Sequence, residues 1–369
     1  MRWNAPLQKT AATACALALG LSVTLGSTLP GRAEAFNIGG AIGAVVGTAV
    51  QYDYLNKQVN YLDNDGRHAY LKEVQKEVGV NEDPTLNALL DSVMTRLTAS
   101  IAKIDPSIKE KPYNYFVNKD PSYNAFCTLG HNLTVNQGMF ELLNNNADEL
   151  AVVVAHELAH GQKEHPAKGV KKSMPLDLLN NLYQSQNPNA ASIIGSSLLK
   201  NAAKATGVTK PMEVEADNLA FDYTVGAGYN IGAGAATWQR FIEKMGESKS
   251  NFVGELFSPS DHPSHESRRA SYSKKLTEYS KKNVAVDDNT GTIKIKGKEF
   301  LKPRPDGGMS GHERSYFIAG NLAAVYHNNA SIPQATYSNG VIQMGVQPIM
   351  AIAPGEDAQA IVAKLNSLR

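Results

Sequence analysis

The chain is poor in cysteine, in net charge and in long apolar runs. It holds two cysteines, Cys15 and Cys127, in 369 residues. Cys15 lies in an N-terminal stretch that reads as removable. Its loss leaves Cys127 alone and excludes an intrachain disulfide. A chain of this length can bury enough apolar surface to fold without one. Cys127 reads as a buried small residue rather than as a nucleophile. Thirty-six lysines and arginines against 35 acids give a formal net charge of +1, with both signs mixed along the chain. There is no basic patch, which argues against nucleic acid as a partner. Beyond the N terminus no apolar run is long enough for a straight membrane-spanning helix, so none is expected in the mature chain. No tandem helical repeat is present, which excludes a solenoid.

Residues 1–35 have the organisation of an export signal. Arg2 and Lys9 form a short positive start, Ala11 to Leu29 is apolar, and Ala33-Glu34-Ala35 is an A-x-A cleavage site. The mature chain then begins at Phe36. Gly20, Ser22, Thr24, Gly26, Ser27 and Thr28 make the stretch poor as a permanent anchor. Cys15 sits inside the apolar region, after Ala12-Thr13-Ala14, and does not fit a lipoprotein site. Export to a periplasm is expected, with an extracellular destination as the alternative. Residues 36–60 form a Gly-rich apolar N-terminal arm. Phe36 to Val50 reads either as a packed or mobile segment, or as an arm that touches a membrane or a partner.

The informative stretch is Asn146 to His165, NADELAVVVAHELAHGQKEH. Asn146 suits a helix N-cap, and Glu149 three residues on can complete a capping box. Asp148 and Glu149 suit the positive end of the helix dipole. Val152-Val153-Val154 favours strand, but the cap and the histidine spacing favour helix. The helix then reaches to about His165, where Pro166 stops it. On a helix, residues four apart share a face, so His156 and His160 can hold one metal ion through two imidazoles. Glu157 beside them can take a proton from water held there.

A second constellation is needed, because H-E-x-x-H recurs by chance. Thr209 to Tyr223, TKPMEVEADNLAFDY, supplies it. Pro211 suits a helix start and Gly226 its end. Glu213 can be the third ligand of a catalytic zinc, leaving one position open. Asp217, four residues on, can accept the outer ring N–H of a ligand histidine. Glu215 is expected to point elsewhere.

Elsewhere the pattern is mostly structural. Tyr61 to Val80 reads as a polar helix. Asp83-Pro84 opens a core helix through Leu86, Leu89, Leu90, Val93, Met94 and Leu97. Tyr113 to Val117 alternates as a strand. Tyr123 to Phe140 carries two strand-like pieces around Gly130, and Asn124-Ala125-Phe126 is either a sheet edge that binds extended substrate or part of an ordinary core hairpin. Leu178 to Tyr183 and Ile193 to Ala203 read as two helices, forming either a lid over the site or a peripheral insertion. Gly232 to Gly246 is a helix with Trp238 and Phe241 as core candidates. Near Asp287 the character changes. Residues 288–369 read as a small α+β domain without a chemical motif. In it Thr292 to Lys296 and Val341 to Ile352 are strand-prone, Ser315 to Tyr326 is strand or helix, and Glu356 to Leu368 is an amphipathic helix.

H-E-L-A-H followed by E-V-E-A-D resembles the zinc peptidases of the CAAX prenyl protease and heat-shock protease HtpX family, metallopeptidase family forty-eight, whose pattern is H-E-x-x-H then E-x-x-A-D. The likeness runs from about residue 60 to 280 and takes in Asn124-Ala125-Phe126, Gly130, His262-Pro263 and Arg268. It implies a mainly helical zincin of the gluzincin type with a small edge-strand sheet, an α+β fold over residues 61–284. It implies one Zn2+ per chain held by His156, His160 and Glu213, with Glu157 as general base and Asp217 behind a ligand. It implies Asn124, Ala125 and Phe126 as the substrate edge. His262 has two readings: a fourth ligand that keeps the enzyme latent, or an oxyanion stabiliser supported by Arg268. The missing membrane spans set the chain nearer the soluble exported branch. The expected activity is a zinc metalloendopeptidase acting on exported or misfolded polypeptides. The competing expectation is a latent protease serving mainly as a chaperone or assembly factor, with an envelope or membrane-associated protein as partner.

Overall fold

A computed structural model describes residues 38–173, 181–184, 191, 193–195, 208–247 and 263–369. The expected signal peptide, most of the expected lid and His262 lie outside the described residues. The chain divides into two units, Met1–Val50 and Gln51–Arg369. In the first, residues 38–50 are helical. Among the described residues no helix is long and apolar enough to cross a membrane.

The second unit opens within helix α1, Ile38–Asp63, whose Leu55, Val59 and Leu62 are buried in the core. The single polar helix expected over Tyr61–Val80 is two elements. The chain turns at Asn64-Asp65-Gly66, where the Gly66 N–H donates to the Tyr61 carbonyl at 2.7 Å, and α2 follows as Arg67–Val78. Asn, Asp and Gly favour turns over helix interior, which is why the helical pattern breaks there. Helix α3, Pro84–Ile104, starts as its sequence predicts. Asp83 caps it by accepting from the Thr85 and Leu86 amides at 2.8 and 3.1 Å, with proline in the first turn. Its apolar face buries Leu90, Val93, Met94, Leu97 and Ile101.

Three short strands form the first sheet: β1 Asn114–Asn118, β2 Ala125–Thr128 and β3 Asn132–Asn136. Their order is β1-β3-β2, with β1 parallel and β2 antiparallel to β3, so β2 is an edge. Gly130 makes the β2–β3 turn at φ +75°, a conformation glycine adopts without strain. After the short α4, Gln137–Leu142, comes α5, Ala147–Gln162. Asn146 caps α5 by accepting from the Asp148 and Glu149 amides at 2.9 and 3.2 Å. The expected capping box does not form, because the buried Glu149 carboxylate is taken by Arg240 at 3.0 and 3.1 Å. The valine run stays helical because α5 packs against α3, β2 and helices further along, so tertiary burial outweighs strand propensity. The helix also ends earlier than expected. A turn at Lys163-Glu164, with Glu164 at φ +54°, separates it from α6, His165–Ser173. Pro166 therefore sits in the first turn of a new helix, where its missing N–H costs nothing.

Helix α7, Lys210–Gly226, packs along α5, and α8, Ala233–Glu247, packs against α5 and against α9, His265–Tyr279. Trp238 and Phe241 are buried in α8. Then follow two antiparallel three-stranded sheets. The first is β4 Val284–Val286, β5 Ile293–Ile295 and β6 Lys298–Leu301; the second is β7 Ala335–Ser338, β8 Val341–Met344 and β9 Gln347–Ala351. Between them α10 spans Gly311–Asn328, so Ser315 to Tyr326 is helix. A capping box between Ser310 and Glu313 starts it. The terminal helix α11, Ala358–Leu368, buries Ile361 and Leu365. The protein is thus α+β and mainly helical with small sheets.

Candidate metal centre

Helices α5 and α7 build the centre between them. The one-turn spacing of His156 and His160 sets both rings on the face of α5 that meets α7, where Glu213 stands one turn inside. His156 Nε2 lies 3.0 Å from His160 Nε2, and the Glu213 carboxylate oxygens lie 3.4 Å from each ring nitrogen. Tetrahedral donors about 2.0–2.1 Å from a zinc ion sit about 3.3 Å from one another. The three side chains therefore fit three corners of such a site, and all are buried. Among the described residues no other group of His, Cys, Asp or Glu has this geometry.

Asp217, one turn further along α7, stands behind His156, its Oδ1 3.1 Å from Nδ1. Arg268 of α9 grips the same carboxylate, donating from Nε to Oδ2 at 2.7 Å and from Nη2 to Oδ1. Its guanidinium carbon lies 3.6 Å over the Trp238 ring, and Nη1 lies 3.6 Å from Glu213 Oε2. Burial alone would raise the Asp217 carboxyl, but Arg268 and His156 hold it below its ordinary value. Burial and Arg268 press the His156 imidazolium down. Asp217 and Glu213 outweigh them and lift it to about 9. Arg268 Nη2 also lies 3.0 Å from His156 Nδ1.

Glu157 is buried beside the two histidines. Its Oε2 accepts the Cys127 backbone N–H at 3.0 Å, while Oε1 has no hydrogen-bond partner among the described residues. Burial raises its pKa, the nearby histidines partly offsetting this. The donor comes from the outer edge of β2. Asn124 turns its carbonyl inward to the Asn136 amide at 3.0 Å, so by strand alternation Ala125 and Cys127 face away from β3. Of the expected edge residues, Asn124 and Phe126 thus face the sheet and Ala125 faces outward. All three are buried.

Three participants escape the motif reading: the Cys127 N–H, His165 and Glu215. His165 Nδ1 lies 2.9 Å from His160 Nδ1, and its Nε2 lies 3.4 Å from Glu215 Oε2. Glu215 lies outside the triangle and turns to His165. The signal that points to His165 is a third histidine five residues after His160, just where the helix ends.

This geometry agrees with what the sequence matches. Residues 84–275, over half the chain, match the profile of Peptidase family M48. The chain belongs to peptidase family M48. Among its relatives are the beta-barrel assembly-enhancing protease of Escherichia coli K12, 22% identical over 61% of this chain and 44% of that protein. Others are the mitochondrial metalloendopeptidase OMA1 of Arabidopsis thaliana, 27% identical over 42% of this chain and 30% of that one, and the metalloprotease LoiP of Escherichia coli K12, 27% identical over 47% and 66%. The chain spans less than half the length of the first two. These M48 relatives represent a somewhat different branch from the CAAX prenyl protease and HtpX peptidases, so the resemblance holds at the level of the family. A family of metallopeptidases implies a metal cofactor and polypeptide substrates, consistent with the His-His-Glu cluster.

Proposed function

We propose that this M48 member is an exported, periplasmic zinc metalloendopeptidase that cleaves exported or misfolded envelope polypeptides. The observation that carries the reading is the buried triangle of His156, His160 and Glu213 with Glu157 beside it. When bound, zinc would lower the pKa of a water molecule and polarise the scissile carbonyl. His156, His160 and Glu213 would hold it. Asp217, itself held by Arg268, keeps the His156 ring in the tautomer that offers Nε2. The Cys127 amide anchors one oxygen of Glu157, and the other takes the proton from the attacking water and returns it to the leaving amine. Its raised pKa makes it a stronger base toward that water. A substrate main chain would pair with the outward edge of β2, chiefly at Ala125. The export-signal pattern of residues 1–35 and the beta-barrel assembly named for the assembly-enhancing protease relatives support the location and substrate class.

The second reading, a latent protease acting mainly as a chaperone or assembly factor, is supported by burial of the three donors and of Ala125. Zinc content and casein cleavage separate the two. Glu157→Gln is expected to keep one zinc per chain and to lose cleavage by about 10²-fold or more. Cleavage that appears only in His262→Ala would favour the latent enzyme. A wild-type chain that holds no zinc would end both readings.

A further inference from the structure

The two histidine ligands are backed differently. His156 meets a buried carboxylate, Asp217, itself paired with Arg268. His160 meets another imidazole. The turn at Lys163-Glu164 ends α5, and His165, the first residue of α6, lies against His160 with ring centroids 5.0 Å apart and planes at 69°. The His165 side chain is 2% exposed, whereas Glu215 beyond it is 49% exposed and also lies 3.8 Å from Lys163 Nζ.

Proton positions along this chain follow from valence. A neutral His160 that offers Nε2 carries its proton on Nδ1. That proton has an acceptor at His165 Nδ1, 2.9 Å away. His165 then carries its own proton on Nε2, which faces Glu215 Oε2 at 3.4 Å. His165 is not itself a fourth donor, because it contacts the nitrogen of His160 opposite the one in the triangle.

Resting on the metal-centre reading above, we propose that His165 is a positioning residue for His160. Glu215 fixes the His165 tautomer from the protein surface. Metal affinity then depends on a pair that lies outside the donor set.

The test uses the full mature chain and two readouts besides cleavage: zinc affinity by chelator competition, and the visible absorption bands of the cobalt-substituted protein. His165→Phe keeps a ring and removes the acceptor. It is expected to weaken zinc binding about 10–100-fold and to shift the cobalt bands. His165→Asn offers an oxygen near the position of Nδ1 and should restore most of the affinity. Glu215→Gln should weaken binding by a smaller factor. Unchanged affinity and spectrum in His165→Phe, with zinc lost in His156→Ala, would overturn the inference while leaving the metal centre standing. Zinc retained in His156→Ala would overturn the metal centre itself, and the inference with it. Should His165→Phe fail to fold, the surface change Glu215→Gln decides alone: weaker zinc binding supports the inference, unchanged binding overturns it.

Discussion

At the scale of single residues, the site leans on a backbone donor that no side-chain motif encodes. Glu157 Oε2 is held by the Cys127 N–H, and the thiol is buried alongside, its pKa pushed well up by burial and by Glu157. A buried thiol and an amide bonded to Glu157 make separable predictions. Cys127→Ala keeps the N–H and should retain casein cleavage, at a cost of about 1 kcal/mol in stability. Cys127→Pro removes the N–H on the outward side of an edge strand, where the β3 ladder does not need it. It should fold and lose roughly 10-fold or more in cleavage rate, part of what a positioned base supplies. Equal rates in the two variants would mean that the amide does not matter. Which residues share a helix face was legible from spacing alone, so His156, His160, Glu213 and Asp217 were found. Residues that act from 30 or more positions away, as Cys127 does on Glu157, leave no local trace.

At the scale of elements, the first turn of α5 is tied to the C-terminal region by a buried three-residue ionic cluster. Arg240 of α8 binds Glu149 of α5 through two bonds and lies 2.8 Å from Glu313 of α10. Two carboxylates share one guanidinium, so one proton is held readily. Burial lifts Glu313 to about 7, against the pull of Arg240 and with a push from Glu149, and burial raises Glu149 as well. The folded protein binds this proton more tightly than the unfolded chain does. The resulting stabilisation is present below the unfolded value near pH 4.5 and is lost as pH rises toward 7. From the two pKa values it amounts to about 3 kcal/mol at most. Glu313→Gln, which can still accept the Ser310 amide, should flatten this slope in thermal unfolding measured from pH 5 to 8. An unaltered slope would assign the proton elsewhere. The capping box that Asn146 and Glu149 predict is the matching lesson. The pattern was correct for a helix start, but Arg240, 91 residues away, competes for the same carboxylate and wins by charge.

At the scale of the whole molecule, the residues after β4 pack closely on the helices that carry the site. A Cβ on Gly232 would lie 1.9 Å from the Tyr316 carbonyl oxygen, and one on Gly320 would lie 2.0 Å from Asn230 Oδ1. Asn230 also donates to the Phe317 carbonyl at 3.1 Å and to Asn321 Oδ1 at 2.9 Å. Helix α10 contributes buried Tyr316, Ile318 and Leu322 to the core. A chain ending at Asn283 should therefore expose the α8–α9 surface and strip Glu313 from Arg240. Its midpoint of thermal unfolding is expected to fall by 5 °C or more, on the order of a 1–2 kcal/mol loss, or the product is expected to aggregate. A truncated chain that melts with the full-length protein would instead make residues 288–369 a separable domain.

The sequence by itself determined the helix that presents His156 and His160, its asparagine cap, the second helix with Glu213 and Asp217, and the hairpin turning at Gly130. All of these rest on periodicity, caps and turns within about a dozen residues, where local geometry is set by the backbone. Only the tertiary structure decided which atoms stand behind those side chains: the Cys127 amide on Glu157, Arg268 on Asp217, His165 and Glu215 behind His160. It also resolved Ser315 to Tyr326 as helix, because an amphipathic Ala-rich stretch has no preference until a neighbouring face buries one side. The physical reason is common to each case. A buried polar group must find a partner, and where the chain supplies it from far away, the partner is fixed by packing.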